Sequence, residues 1–425
     1  MAPHVGRGDG VTIDPVRALT NIGRLYQCRN EGGQSAVQPI DRATLVWEGG
    51  RIRWVGPAAE LPAEHRHLDA EDAGGRIVVP GLVDCHTHLA FGGWRAEEFE
   101  QKIRGVGYLE IAKAGGGIVL TVAQTRTATT AALVARCREH LAAMLALGVT
   151  SVEAKSGYGL DLPQELRLLE VYREVAAGTR QTIVPTLLAA HTVPPEFRGR
   201  TEEYVDLVCD EIIPAAARAG TARFCDVFVE DSAFSIAQGR RVLETGKRHG
   251  LVPKIHADQI TWTGGAELAA EVGAASADHL ERISPAGIAA LAHAGVVAVT
   301  LPIASLYLNQ PPVRARALID AGVAVAVATD FNPGSAPSYH LPLAMMLACT
   351  LQRMTPAESL KAATLYAARA IGLESEAGSL EPGKRADFAI LDADSVDQWL
   401  YHFQPNACRV VSVLGTRHSA LGARP

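Results

Sequence analysis

No apolar run in this 425-residue chain approaches the roughly 20 residues that a membrane-spanning helix requires. The strongest, such as Val323 to Ala328, are far shorter. A basic excess is missing as well: 40 lysines and arginines stand against 46 aspartates and glutamates, a net charge of −6. That argues against a broad nucleic-acid or anionic-membrane surface, since either needs a positive field. An anionic substrate would have to be captured by local residues. Cysteines number only seven (Cys28, Cys85, Cys137, Cys209, Cys225, Cys349 and Cys408), and no C-x-x-C pair occurs. An odd, scattered set argues against a disulfide framework and for a reducing compartment. The first fifteen residues, MAPHVGRGDGVTIDP, hold no apolar stretch of the signal-peptide kind, so a cytoplasmic location is expected. Internal repeats and low-complexity tracts are also lacking.

What is present is apolar bulk. Hydrophobic residues make up 48% of the chain and charged residues 20%, with a mean hydropathy of +0.09. Such a chain buries a large core and is not disordered as a whole. Its length suggests more than one domain. The middle alternates short β-branched runs with longer helical patterns. Strands are expected at Ile77–Val83, Val149–Glu153, Gln181–Ala189, Arg223–Val229, Leu251–Ile255, Ala274–Ala277, Val296–Thr300 and Val323–Ala328. Helices are expected at Thr130–Leu147, Pro163–Ala177, Ile236–His249 and Pro285–His293. Near-continuous apolar strands alternating with helices indicate a parallel sheet, and eight units favour an α/β fold of the (β/α)₈ TIM-barrel type. The ends read differently. Ala43–Trp47 and Arg51–Val55 flank Glu48-Gly49-Gly50 as a hairpin, and strand and turn signals return from Gly378 to Asp392. A small composite β-sandwich domain built from both termini, residues 1–76 and 373–425, is expected around a barrel at 77–372.

An insertion from about Leu89 to Arg126 contains Gly105, Gly107 and Gly115-Gly116-Gly117. Position 110 is Glu and no Gly-Lys-Ser/Thr follows, so a mobile or substrate-covering loop is expected rather than a phosphate cradle.

The 14 histidines carry the chemistry. His65 and His67 sit in the polar stretch AEHRHLDAED and read as a solvated loop. His86-Thr87-His88 instead ends the apolar run into Cys85. Residues i and i+2 of a strand share a face, so both imidazoles can enter the barrel mouth as neutral nitrogen ligands. His191, His256 and His279 follow later strands, and Asp330 closes the eighth. Barrel active sites lie at these strand ends. His140, His249 and His293 fall within or at the ends of helical patterns and read as structural. Histidines with a carboxylate suit zinc, iron or manganese, and a bound divalent cation acidifies water toward neutrality. Hydrolysis follows. Phe228-Val-Glu230 ends the fourth strand without a lysine, which favours one metal. Lys155 and Lys254 are the strand lysines that could serve a second.

The strand-end H-x-H, the later histidines and the closing aspartate resemble the amidohydrolase superfamily. Pro80-Gly-Leu-Val-Asp-Cys-His-Thr-His88, Phe91-Gly-Gly-Trp-Arg-Ala-Glu-Glu-Phe99, Lys155-Ser-Gly-Tyr-Gly159, His256-Ala-Asp-Gln259 and Thr329-Asp-Phe-Asn-Pro-Gly-Ser335 narrow the likeness. They resemble the imidazolonepropionase family, histidine-degradation enzymes that open a cyclic amide. The likeness runs from about residue 40 to 415. It implies metal ligation by His86, His88, His256 and Asp330, and one divalent ion per subunit, zinc first and iron as the alternative. Substrate contacts then fall on Arg95, Tyr158, His191, Gln259, Asn332, Gly334 and Ser335, with His279 beside the attacking water and Asp330 shuttling its proton. The implied reaction converts 4-imidazolone-5-propanoate and water to N-formimidoyl-L-glutamate. A small molecule is thus the expected partner, with neither nucleic acid nor membrane, in a homodimer of the kind relatives commonly form.

The residues agree with these roles. Arg95 can grip a carboxylate bidentately. Tyr158 offers a hydroxyl at the rim, and Asn332-Pro-Gly-Ser335 can present backbone and side-chain donors. Two other functions are weighed. Deaminases of nitrogen heterocycles commonly carry glutamate three residues after the strand-five histidine, whereas here Gln259 has no titratable proton. A metal-free binding relative would lack ligands that are all present here.

Overall fold

The computed structural model describes residues 16–106, 115–404 and 406–419. The chain opens with Arg17–Tyr26 (β1), Pro39–Glu48 (β2), Arg51–Pro57 (β3), Ala70–Asp72 (β4) and Ile77–Pro80 (β5). The hairpin expected around Gly49-Gly50 forms: β2 pairs antiparallel with β3, Glu48 opposite Arg51. Eight strands then follow in one parallel sheet: Leu82–Asp84 (β6), Val149–Lys155 (β7), Thr182–Ala190 (β8), Phe224–Val229 (β9), Val252–Ala257 (β10), Ser276–His279 (β11), Val297–Thr300 (β12) and Val325–Val327 (β13). Each is hydrogen-bonded to its neighbour in chain order.

The sheet curls until its first and last strands meet just beyond their ends. Thr87 and Phe331 form a parallel bridge. Asp330 N–H donates to the His86 carbonyl at 3.0 Å, and His88 N–H donates to that of Phe331 at 2.9 Å. The buried Asp84 carboxylate accepts the Thr329 N–H at 3.1 Å and its hydroxyl at 2.6 Å. The seam of the barrel thereby holds the first histidine pair against Asp330.

Helices cover the outside. Thr130–Ala146, Leu162–Ala177, Ile236–Arg248 and Pro285–Ala294 lie within a residue or so of the expected ranges. Each begins at a side chain that accepts a first-turn N–H, namely Thr129, Asp161, Ser235 and Ser284.

The run Ile77–Val83, expected as one barrel strand, is two strands. Gly81 N–H donates to the carbonyl of Asp387, which leads into a strand of the terminal sheet, while Leu82 N–H donates to that of Gly148, which leads into the barrel strand β7. Ile77–Pro80 pairs with Phe388–Leu391 (β14), which continues to Cys408–Val413 (β15) and Thr416–Ser419 (β16). The terminal sheet runs β16-β15-β14-β5-β1-β2-β3, with β4 on β1. Every residue of Ile77–Pro80 is buried, and an unbroken apolar run carries no mark of which sheet it joins. Both termini therefore build one mixed sheet. It has its own apolar cluster, including Leu45, Trp47, Val78 and Phe388, with Trp47 edge-on to Phe388 at 5.5 Å.

Candidate active site

His86 and His88 leave the end of β6 on one face and enter the barrel mouth. The His86 ring lies 5.4 Å from His88, 4.6 Å from His256 and 5.6 Å from His279. His191 stacks on His88 at 4.9 Å. Asp330 Oδ1 stands 3.4 Å from Nε2 of both His86 and His88. Donor atoms of His86, His88 and Asp330 lie within 4.8 Å of one another, as do those of His86, His256 and His279, and those of His88, His191 and His256.

The outer bonding of the rings shows what the cluster is for. His86 Nδ1 is held by Asp278 at 2.6 Å and His256 Nδ1 by Asp226 at 3.2 Å. Nε2 of each is buried without a partner. Buried polar atoms are ordinarily satisfied; two orphaned nitrogens beside a carboxylate, each ring fixed from behind, fit a divalent cation. Burial drives His256 down to about 3 and His279 to about 4, and lowers His88 and His191 too. These rings are neutral donors at neutral pH. For Asp330, burial opposes ionisation, but the neighbouring imidazoles of His86, His88 and His279 outweigh it and hold the carboxyl well below its usual range. His279, Leu280 and Asp330 have φ of 78°, 75° and 56°. Such left-handed residues cost on the order of 1–3 kcal/mol each and persist where surrounding structure imposes them.

Beneath the rings lies a charged layer that motif reasoning missed. Lys155 Nζ donates to Asp226 at 2.7 Å and to Glu153 at 3.1 Å, and lies 3.5 Å from Asp278. Lys254 Nζ donates to Glu153 at 2.8 Å and to the Cys85 carbonyl at 3.2 Å. All five side chains are fully buried. Both lysines, candidates for a second metal by sequence, are thus engaged in ion pairs. A signal did exist: Val-Glu-Ala-Lys, Cys-Asp-Val-Phe, Pro-Lys-Ile-His and Ser-Ala-Asp-His place charges inside apolar strands.

Arg95 has Nε and Nη1 buried and unbonded, with Glu98 3.8 Å away. Its guanidinium packs so closely on Gly334 that a Cβ there would overlap it. Lys102 Nζ donates to the Gly334 carbonyl at 3.1 Å. The turn after β13 differs from expectation. Asn332 Oδ1 accepts the N–H groups of Gly334 and Ser335, both at 2.8 Å, so these donors are spent on the turn itself. Asn332 Nδ2 is likewise used, on the Asp330 carbonyl at 2.6 Å and on Ser335 Oγ at 2.9 Å. Ser335 Oγ lies 3.4 Å from Asp330 Oδ2. The motif builds a rigid platform under Arg95 and beside Asp330.

Tyr158 sits between Gly157 and Gly159, its ring 5.4 Å from His191 and 5.6 Å from His88. Gly157 has φ 100°, where an L side chain is strained, and its carbonyl bonds His191 Nδ1 at 3.0 Å. The loop is gathered by Glu165, whose carboxylate accepts N–H groups from Gly157, Gly159 and Leu160. Nothing near Glu165 in the sequence marks that role. Gln259 is buried after β10, and its amide makes no hydrogen bond among the described residues. His65 and His67 stay on a surface turn away from these groups. Residues 107–114 of the insertion, with Gly107, lie outside the described residues.

A parallel barrel with imidazoles and a carboxylate at its strand ends defines a metal-dependent hydrolase. Residues 77–416 match the model of the Amidohydrolase family. The chain is 50% identical over 376 residues to an imidazolonepropionase of Geobacillus kaustophilus, covering 88% of this chain and 89% of that protein. It is 47% identical over 381 residues to one of Cupriavidus pinatubonensis, covering 89% and 90%. A crystal structure of a triazine hydrolase variant superposes with a TM-score of 0.76 at 17% identity, covering 95% of this chain and 94% of that one. The chain belongs to the amidohydrolase family and, within it, to the imidazolonepropionases.

Proposed function

We propose that the protein hydrolyses the ring amide C–N bond of 4-imidazolone-5-propanoate to give N-formimidoyl-L-glutamate, a step of histidine degradation. One observation carries this: two orphaned imidazole nitrogens converge on Asp330, and the turn that follows Asp330 seats, at Gly334, an arginine whose Nε and Nη1 are buried and unbonded. His86, His88, His256 and Asp330 would hold one divalent metal, zinc in preference to iron. The metal, when bound, supplies a water acidified toward neutrality.

The protein's own groups do the rest. Arg95 binds the propionate by charge-assisted hydrogen bonds, on the seat that Gly334 leaves open. Tyr158 and His191 close one side of the ring. Gln259 can offer a donor and an acceptor to the N–C=O edge. Asp330, ionised, takes the proton that the attacking water gives up and delivers it to the ring nitrogen as the C–N bond breaks. Neutral His279 hydrogen-bonds the water or the developing oxyanion. We further propose a cytoplasmic homodimer that contacts neither nucleic acid nor membrane, in keeping with the net charge of −6. Purified protein given imidazolone propionate should remove the ring absorbance without releasing ammonia. Ammonia release would mark a deaminase instead, and metal analysis would read zinc against iron.

A further inference from the structure

The layer beneath the histidines contains three carboxylates, Glu153, Asp226 and Asp278, against two ammonium groups, Lys155 and Lys254. The two lysines are not equivalent. Lys155 Nζ contacts both carboxylates that hold ring nitrogens: Asp226 at 2.7 Å and Asp278 at 3.5 Å. Asp226 in turn bonds His256 Nδ1, and Asp278 Oδ2 touches Lys155 and His86 Nδ1 alike. Lys254 is committed mainly to Glu153 and a carbonyl, and stands 3.8 Å from Asp278.

We propose that Lys155 is a positioning residue that sets metal affinity, its one ammonium clamping the two carboxylates that aim His86 and His256. This rests on the metal reading of the site. The pairs are far apart in sequence and meet only here, so one charge keeps two rings in mutual register. Removing it has two opposed effects. More negative charge below the site would attract a cation. Yet a buried carboxylate that loses the ammonium donor beside it has no water to replace that contact and turns toward other partners, and a rotated Asp226 or Asp278 no longer fixes its ring. The second effect dominates because the layer is fully buried. Loss of such outer contacts typically weakens metal binding by about 10–100-fold.

The test is competition for Zn²⁺ between the full-length protein and a chromophoric chelator, with circular dichroism as the check of folding. Lys155→Met is expected to bind zinc about 10–100-fold more weakly than wild type. Lys155→Gln, which keeps a donor and most of the length, should show the same direction if Lys155→Met does not fold. Lys254→Met should change affinity only a few-fold. In a double-mutant cycle, Asp226→Asn should add less on top of Lys155→Met than it does alone. Unchanged or tighter zinc binding in folded Lys155 variants overturns the proposal. So does an equal loss in Lys254→Met, or failure of both Lys155 variants to fold, which would make the lysine a folding element. A wild-type protein that binds no zinc would instead sink the metal reading itself.

Discussion

At the scale of single residues, the site separates groups that bind from groups that merely stand nearby. His256 offers an unpaired Nε2 while Asp226 holds its Nδ1. His256→Ala should therefore abolish turnover and sharply weaken metal binding with the circular dichroism spectrum intact; full activity in a demonstrably metal-free preparation would contradict this. Arg95→Ala removes a charge-assisted contact worth roughly 1.5–3 kcal/mol, about tenfold to more than a hundredfold in kcat/KM. The loss should shrink for an imidazolone lacking the carboxylate. Gly334→Ala should imitate it, since a Cβ there displaces the guanidinium; wild-type KM in that variant would show that the arginine seat does not matter. Gln259→Glu should retain substantial activity with a new acidic limb in its pH profile, and Gln259→Leu should lose mainly affinity. If Gln259→Leu erases kcat to the extent of His256→Ala at unchanged KM, its orienting role is wrong.

At the scale of elements, one helix positions one loop. The helix Leu162–Ala177 is capped by Asp161 and sends Glu165 back into the turn that precedes it. There its carboxylate collects the N–H groups of Gly157, Gly159 and Leu160, the last two at 2.8 Å. A hydrogen bond to a charged group contributes about 1.5–3 kcal/mol. Glu165→Ala should lower the melting temperature and raise KM more than it lowers kcat, because Tyr158 rides on this loop. An unchanged KM with a lowered melting temperature would confine Glu165 to stability.

At the scale of the whole molecule, the first and last segments meet in one sheet. β5 is bonded to β1 on one side and to β14 on the other, and Trp47 packs edge-on to Phe388. The same segment hands over to the barrel at Gly81, five residues before His86. Phe388→Ala should cost about 3–5 kcal/mol, read as a lower thermal midpoint. A barrel melting unchanged, with only the terminal sheet lost, would show that the two parts unfold independently.

By itself the sequence determined the parallel barrel and its covering helices. Apolar strands, helical patterns and the Gly49-Gly50 turn are local patterns, and local hydrogen bonding reads them directly. The strand-end placement of His86, His88, His256 and Asp330 was legible for the same reason: a period of two assigns faces without reference to any partner. Partners were not legible. Lys155 meets Asp226 across 71 residues and His86 meets Asp278 across 192, and only closure of the barrel brings them together. Glu165, beside its loop in the chain, was equally hidden, because a glutamate in a first helical turn looks the same whether solvated or gathering amides. The tertiary structure alone decided that Asn332 spends the turn's donors internally, and that the run from Ile77 is divided between two sheets. An apolar residue is buried equally well in either sheet, and a polar one is satisfied by whichever partner the fold delivers.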